Sequence, residues 1–258
     1  LDFITLLMNL KVVSEPEKKQ DIRAIEIDEL TQFFINHGEK SFRAKQVDEW
    51  IWKKSARSFD EMTNLSLKTR SLMSDHFVIN GISIGESQKR KDGTIKSAFR
   101  LHDEHIIEGV LIPTKTRMTA CVSSQVGCSL SCKFCGTGRL KRERNLNADE
   151  IFDQVSIINQ QAIDNYQIPL SNIVYMGMGE PLLNYNNMLR SIDKITSSRG
   201  LGMSPKRITV STAGIAKMIR KLGDDQVKFH LSLSLHAANE KKRDYIMPIN
   251  EQNSLSSL

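Results

Sequence analysis

From Thr116 onward the chain alternates short aliphatic runs with longer amphipathic ones, and this rhythm narrows the fold more than any other feature. It predicts strands at 118–122, 172–176, 207–211 and 228–234, and helices at 148–164, 186–198, 215–222 and 238–246. Strand–helix repetition makes neighbouring strands parallel, because each helix carries the chain back across the sheet. The class that follows is α/β, with helices wrapped on a parallel sheet, either a TIM-like βα-barrel or an open sheet. Asn147-Ala148-Asp149-Glu150 reads as a capping box for the first of these helices. Four strand–helix units are too few to close a barrel, and Ser254-Leu255-Ser256-Ser257-Leu258 has neither pattern, so the expectation is a partial barrel cut off within a domain.

Three other segments precede this core at 116–258. Residues 1–25 read as a loose tail, 26–80 as a small helical accessory domain, and 81–115 as a β-rich linker. In the helical segment Asp28 is expected to cap a helix carrying Leu30, Phe33 and Phe34 and ending at Gly38. A second helix opens at Ser41 with Val47, Trp50 and Ile51 on one face, and a third runs over 60–76. Lys91-Asp92-Gly93-Thr94 marks a hairpin between two extended runs, and a third run, 106–112, stops at Pro113.

All four cysteines of this 258-residue chain fall between positions 121 and 135. A disulfide framework spreads its cysteines along the chain; clustering in a sequence without an evident signal peptide points to a reducing cytoplasm and a metal site. Cys128, Cys132 and Cys135 have C-x3-C-x2-C spacing on what should be a loop after a strand. Three such thiolates hold three irons of a [4Fe–4S] cube and leave the fourth without a protein ligand. That iron is free to chelate the amino and carboxylate groups of S-adenosylmethionine (SAM). The competing reading is a zinc-stabilised RNA-binding module in which Cys121 completes a closed tetrahedron, but zinc knuckles come as two C-x2-C pairs and only one is present.

Lys and Arg outnumber Asp and Glu by 36 to 30, a formal charge of +6 that favours a polyanionic partner. Lys133, Arg139, Lys141, Arg142 and Arg144, against Glu143, form a basic run beside the cysteine loop, suited to phosphate contacts. No apolar stretch approaches the roughly 20 residues of a membrane span.

The motifs Cys121-Val-Ser-Ser-Gln-Val-Gly-Cys128, Met176-Gly-Met-Gly-Glu180-Pro-Leu-Leu-Asn184, Ser211-Thr-Ala-Gly214, Ser234-Leu-His236-Ala237 and Met247-Pro-Ile-Asn250 occur in one order across residues 25–250. Together they resemble the RlmN/Cfr family of radical SAM RNA methyltransferases, closer to its adenine-C2 branch than to the Cfr-like C8 branch. The resemblance implies a partial radical-SAM barrel, a [4Fe–4S] cluster on Cys128, Cys132 and Cys135, and SAM as cosubstrate. Gly179 and Glu180 would meet the SAM amino group, and Ser211, Ser234, Leu235 and His236 would line the same pocket. Glu108 would accept a proton. Cys121 would resolve a protein–RNA adduct and end in a disulfide. Taken singly, Glu108 is a solvated strand residue and Cys121 a small buried one; the resemblance raises both. The implied substrates are 23S rRNA at the peptidyl-transferase centre and the tRNA adenosine next to the anticodon. Flavodoxin or ferredoxin would supply electrons to a cytoplasmic monomer.

Adenine C2 is electron-poor and does not attack a methyl sulfonium, which is why radical chemistry is needed there. In the family a cysteine near the C-terminus carries the methyl group to the base. No cysteine follows Cys135, so that residue has no counterpart, and this chain alone is not expected to complete methyl transfer.

Overall fold

The computed structural model describes residues 19–258. Most of the expected tail, residues 1–18, lies outside them. Its last residues are not loose: β1 (Gln20–Asp21) pairs in parallel with β2 (Phe77–Val78), and Ile22 and Arg23 are buried. The reason is electrostatic. Arg23 meets Asp21 and Asp149 at 3.0 Å each and Asp153 at 2.8 Å, far along the chain.

The helical segment holds α1 (Ile27–Asn36), α2 (Phe42–Asp48) and α3 (Leu67–His76). Helix α1 starts two residues earlier than expected, with Glu26 at the cap position and Asp28 within the first turn, and it buries Leu30 and Phe34. A π-helical turn, Glu49–Lys53, extends α2. Its wider turn shifts the inward face, so Trp52 is buried with Val47 and Ile51 while Trp50 is only half-buried. Trp52 packs edge-on against Phe152 at 5.1 Å, which joins this segment to the core of the α/β part.

One seven-stranded sheet organises the rest, in the order β11-β10-β9-β6-β5-β4-β3. The strands are β3 (Ser83–Lys89), β4 (Ile95–Arg100), β5 (Ile106–Pro113), β6 (Met118–Cys121), β9 (Asn172–Tyr175), β10 (Ile208–Thr212) and β11 (His230–Leu233). Strands β6, β9, β10 and β11 are parallel, linked by α4 (Ala148–Tyr166), α5 (Tyr185–Thr196) and α6 (Ala216–Asp224); α7 (Glu240–Ile246) follows. These bounds match the predicted alternation to within a few residues. At the start of α4 the Glu150 carboxylate accepts the Asn147 N–H at 2.9 Å, as the capping box requires. Consecutive strands lie side by side with no reversal of order. With right-handed crossovers that puts the connecting helices on one face, as in a partial barrel wall and unlike a doubly wound sheet.

The β-rich stretch is not a linker. β3, β4 and β5 continue the parallel strands edge to edge as an antiparallel extension, with β5 paired to β6 from Val110–Cys121 to Pro113–Met118. Alternation in β5 explains why. Ile107, Gly109 and Leu111 are buried on the helix-covered side, whereas Glu108 and Val110 face the open side. A short ribbon of β7 (Gln125–Val126) and β8 (Arg144–Asn145) flanks the cysteine loop.

Candidate active site

The C-terminal ends of the parallel strands hold four of the five motifs that carry the resemblance; Met247–Asn250 follows α7. Cys121 is the last residue of β6, and Met176–Glu180 follows β9 directly. The two segments are laced together. The N–H groups of Ser124 and Gln125 reach the Met178 carbonyl at 2.8 and 3.2 Å, Met178 N–H donates to Ser123 Oγ at 2.8 Å, and Glu180 N–H donates to Gln125 Oε1 at 2.9 Å. This lacing requires glycine at 179. Its φ is +96°, and a Cβ there would lie 2.5 Å from the Cβ of Gln125.

Glu180 is buried, and its carboxylate accepts from Leu182 N–H at 3.1 Å and, across to the end of β10, from Ala213 N–H at 2.8 Å. Burial pushes its pKa up, and these backbone donors pull the other way. The side chain expected to meet the SAM amino group therefore also clamps two strand ends, with lone pairs left over. Ser211 and Ser234, on β10 and just past β11, bring their hydroxyls within 3.2 Å of each other. Leu235 and His236 are exposed, and His236 stacks against Phe134 of the cysteine loop with ring centroids 3.8 Å apart. Phe134, beside Cys135, thus bridges that loop to the segment after β11.

Cys128, Cys132 and Cys135 lie on one tight loop, with Cys135 N–H bonded to the Cys132 carbonyl at 3.1 Å. Cys132 shares an apolar cluster with Leu130, Ala213 and Met247, and Cys128 and Cys135 pack against it. Burial first, then the neighbouring thiols, pushes Cys132 up to about 11; Cys128 is raised by burial, with Glu180 and Cys135 adding to it. Three thiolates so placed repel one another, and a bound cationic iron–sulfur core relieves exactly this repulsion, so the donor set suits a cluster. Among the described residues no three His, Cys, Asp or Glu side chains converge on a point suited to one metal ion. A cube does not need that convergence, since each thiolate takes a different iron.

Beside the loop lies a cleft of about 390 Å³ lined by Lys96, Glu108, Cys121, Cys135, Met176 and neighbours. It unites residues from β4, β5, β6, the cysteine loop and the turn after β9. Burial pushes the Cys121 thiol up to about 11, so it is neutral at physiological pH. All four cysteines are free thiols; the disulfide implied for Cys121 is not formed, its only potential partners in the sequence being the cysteine triplet itself. Sequence reasoning missed Lys96, whose Nζ sits 2.6 Å from Glu108 Oε1. The signal was available only as a same-face diagonal across β4 and β5.

One basic residue was misassigned. Arg144 does not face solvent with the rest of its run but holds Glu150 through both terminal nitrogens at 2.7 and 2.8 Å, and Asp103 through Nε at 2.6 Å. Its guanidinium keeps Asp103 well below the usual carboxylate range. Arg139, Lys141 and Arg142 are exposed as expected, and Lys133 places its ammonium over the Tyr245 ring at 3.4 Å.

Known proteins resolve the assignment. Residues 20–79 match the family described as ribosomal RNA large subunit methyltransferase N-terminal domain, and residues 122–258 match the radical SAM superfamily. A probable dual-specificity RNA methyltransferase RlmN from Cytophaga hutchinsonii is 58% identical across all of this chain and 71% of its own length. The chain belongs to the RlmN family of radical SAM methyltransferases. A second RlmN relative, from Christiangramia forsetii, is 57% identical over 94% of this chain and 69% of that protein. The crystal structure of a radical SAM methyltransferase from Sphaerobacter thermophilus superposes with a TM-score of 0.85 at 33% identity, covering 93% of this chain and 70% of that one. The chain thus spans about 70% of the length of these RlmN relatives. Membership of the radical SAM superfamily sets the zinc-module reading aside and brings a [4Fe–4S] cluster and SAM with it. No described helix is long and apolar enough to cross a membrane.

Proposed function

We propose that this protein methylates C2 of adenine in RNA, in 23S rRNA at the peptidyl-transferase centre and in tRNA next to the anticodon, as a cytoplasmic monomer reduced by flavodoxin or ferredoxin. The observation that carries the reading is the cleft in which Glu108 and Cys121 meet Cys135 at the mouth of the parallel strands. Its volume falls within the usual range for a small-ligand site, roughly 300–1,000 Å³.

Cys128, Cys132 and Cys135 would hold the cluster, which would supply the one-electron chemistry that turns SAM into a source of 5′-deoxyadenosyl radical. Gly179 lets the turn after β9 approach closely, and the Glu180 carboxylate attracts the SAM ammonium. Ser211 and Ser234 offer hydroxyls to the same cosubstrate, with Leu235 and His236 forming its outer wall. The target base leaves its stack to reach the cleft. There Glu108 takes the proton lost from C2. Cys121, neutral until its proton is drawn off, then attacks the sulfur of the protein–RNA thioether made by the family's methyl-carrying cysteine, a residue with no counterpart in this chain. The S–S bond formed replaces the S–CH2 bond broken, and a proton completes the methyl group on the released base. Arg139, Lys141 and Arg142 grip the flanking phosphates.

The test has two readouts. Anaerobically reconstituted protein should bind iron and sulfide and release 5′-deoxyadenosine from SAM with a low-potential reductant. A full-length version that includes a downstream methyl-carrying cysteine, restored to a strain lacking its own enzyme, should return 2-methyladenosine to 23S rRNA and tRNA, and Cys121→Ala should abolish it. Methyl groups at C8 instead would move the assignment to the other branch of the family, and stoichiometric zinc without sulfide would end it.

A further inference from the structure

Helix α7 carries a charge that the scheme above does not use. Arg243 is fully buried, and its direct partners are all neutral. Nη2 donates to the Ala213 carbonyl at 2.6 Å, Nε to the Leu235 carbonyl at 3.2 Å, and Nη1 to Asn250 Oδ1. The guanidinium is therefore plugged between the ends of β10 and β11. Glu240 and Asp244 are linked to it only through Asn250, whose Nδ2 donates to both carboxylates at 2.6 Å. A buried cation with neutral partners is costly unless another charge compensates it.

Glu240 and Asp244 supply part of that compensation, and the cysteine loop packs against the same site. Met247, whose N–H donates to the Arg243 carbonyl at 2.7 Å, and Ala213 share one apolar cluster with Cys132, against which Cys128 and Cys135 pack. Lys133 N–H donates to the Ile246 carbonyl at 2.9 Å, fastening the cysteine loop to the end of α7. Arginine stays protonated at any working pH, and a charge walled from water escapes ionic screening.

We propose that Arg243 sets the reduction potential of the iron–sulfur cluster, its fixed positive charge favouring the more negative reduced state. The step is the gain of one electron from a low-potential one-electron donor, with no bond made or broken. Net charge and polar groups near the sulfurs are what move such potentials. The inference rests on the cluster assignment. It makes Arg243 a positioning and tuning residue, since it touches neither SAM nor base.

Potentiometric titration of the reconstituted full chain, followed by electron paramagnetic resonance, tests it. Arg243→Gln keeps hydrogen-bonding capacity but removes the charge, and its cluster should titrate at a more negative potential than wild type. Arg243→Lys keeps the charge and should stay near wild type. Asp244→Asn removes an opposing charge and should move the potential the other way. Wild-type potential in an Arg243→Gln protein with full iron and sulfide overturns the inference, as does an equal shift in Arg243→Lys. Should Arg243→Gln not retain its cluster, an unmoved potential in Asp244→Asn overturns it alone. Failure of the wild type to bind iron and sulfide sinks the cluster assignment itself, which the loaded-but-unmoved result leaves standing.

Discussion

A single hydrogen atom decides what position 179 tolerates. Gly179 combines a φ of +96° with a Cβ site 2.5 Å from Gln125, whose side chain in turn accepts the Glu180 N–H. Gly179→Ala therefore meets both backbone strain and overpacking, together on the order of 3 kcal/mol. Chemical denaturation should show that loss, and SAM binding should weaken along with it because the turn moves away from β6. A variant as stable as wild type would mean that the turn relaxes without cost. The glycines and Glu180 of this motif were legible as a SAM-facing turn. That Glu180 also clamps Ala213 was not, because the partner lies 33 residues on and only the sheet brings it near.

Between elements, the buried Arg23 network fastens β1 to α4. Removing the cation strands Asp21, Asp149 and Asp153 against one another, and breaking a buried pair this way costs about 3–5 kcal/mol. The pH dependence has a definite sign. Burial pushes Asp149 up to about 6 against the pull of Arg23, from an ordinary 3.8. A carboxyl whose folded pKa is raised stabilises below its unfolded value, and that contribution is lost as pH rises through the folded one, here between about 4 and 6. In Arg23→Met, Asp149 loses the cation that favours its charged form and is harder still to ionise, so denaturation curves should show a larger deficit at pH 7 than at pH 5. An equal deficit at both values would remove Asp149 from the network. None of this was visible in the charged tail as a sequence, since Arg23 and Asp153 are 130 residues apart.

At the scale of the whole molecule, the antiparallel extension turns a strand-end site into a cleft. Glu108 reaches Cys121 only because β5 pairs with β6, and the exposed basic residues stand on the loop that follows the cysteines. Each Lys or Arg that neutralises a phosphate contributes about 0.7–0.9 to the slope of log affinity against log salt. Neutralising Arg139, Lys141 and Arg142 together should flatten that slope for an RNA hairpin by about 2–3. Arg144→Gln should leave the slope alone and lower stability instead, because it abandons the buried Glu150 carboxylate. A salt titration by fluorescence anisotropy, set beside a melting curve, separates the two. An unchanged slope in the triple variant would place the RNA on another face.

The parallel strands, their helices and the cysteine triplet were readable from the sequence alone. Each is written in local periodicity or in spacings of a few residues, which the backbone converts directly into faces and loops. The tertiary structure alone decided that residues 81–115 extend the sheet, that Arg144 is structural, and that Lys96 meets Glu108 in the cleft. Strand register and ion pairing join residues that chain order separates, and their energies depend on a burial that no short window of sequence contains.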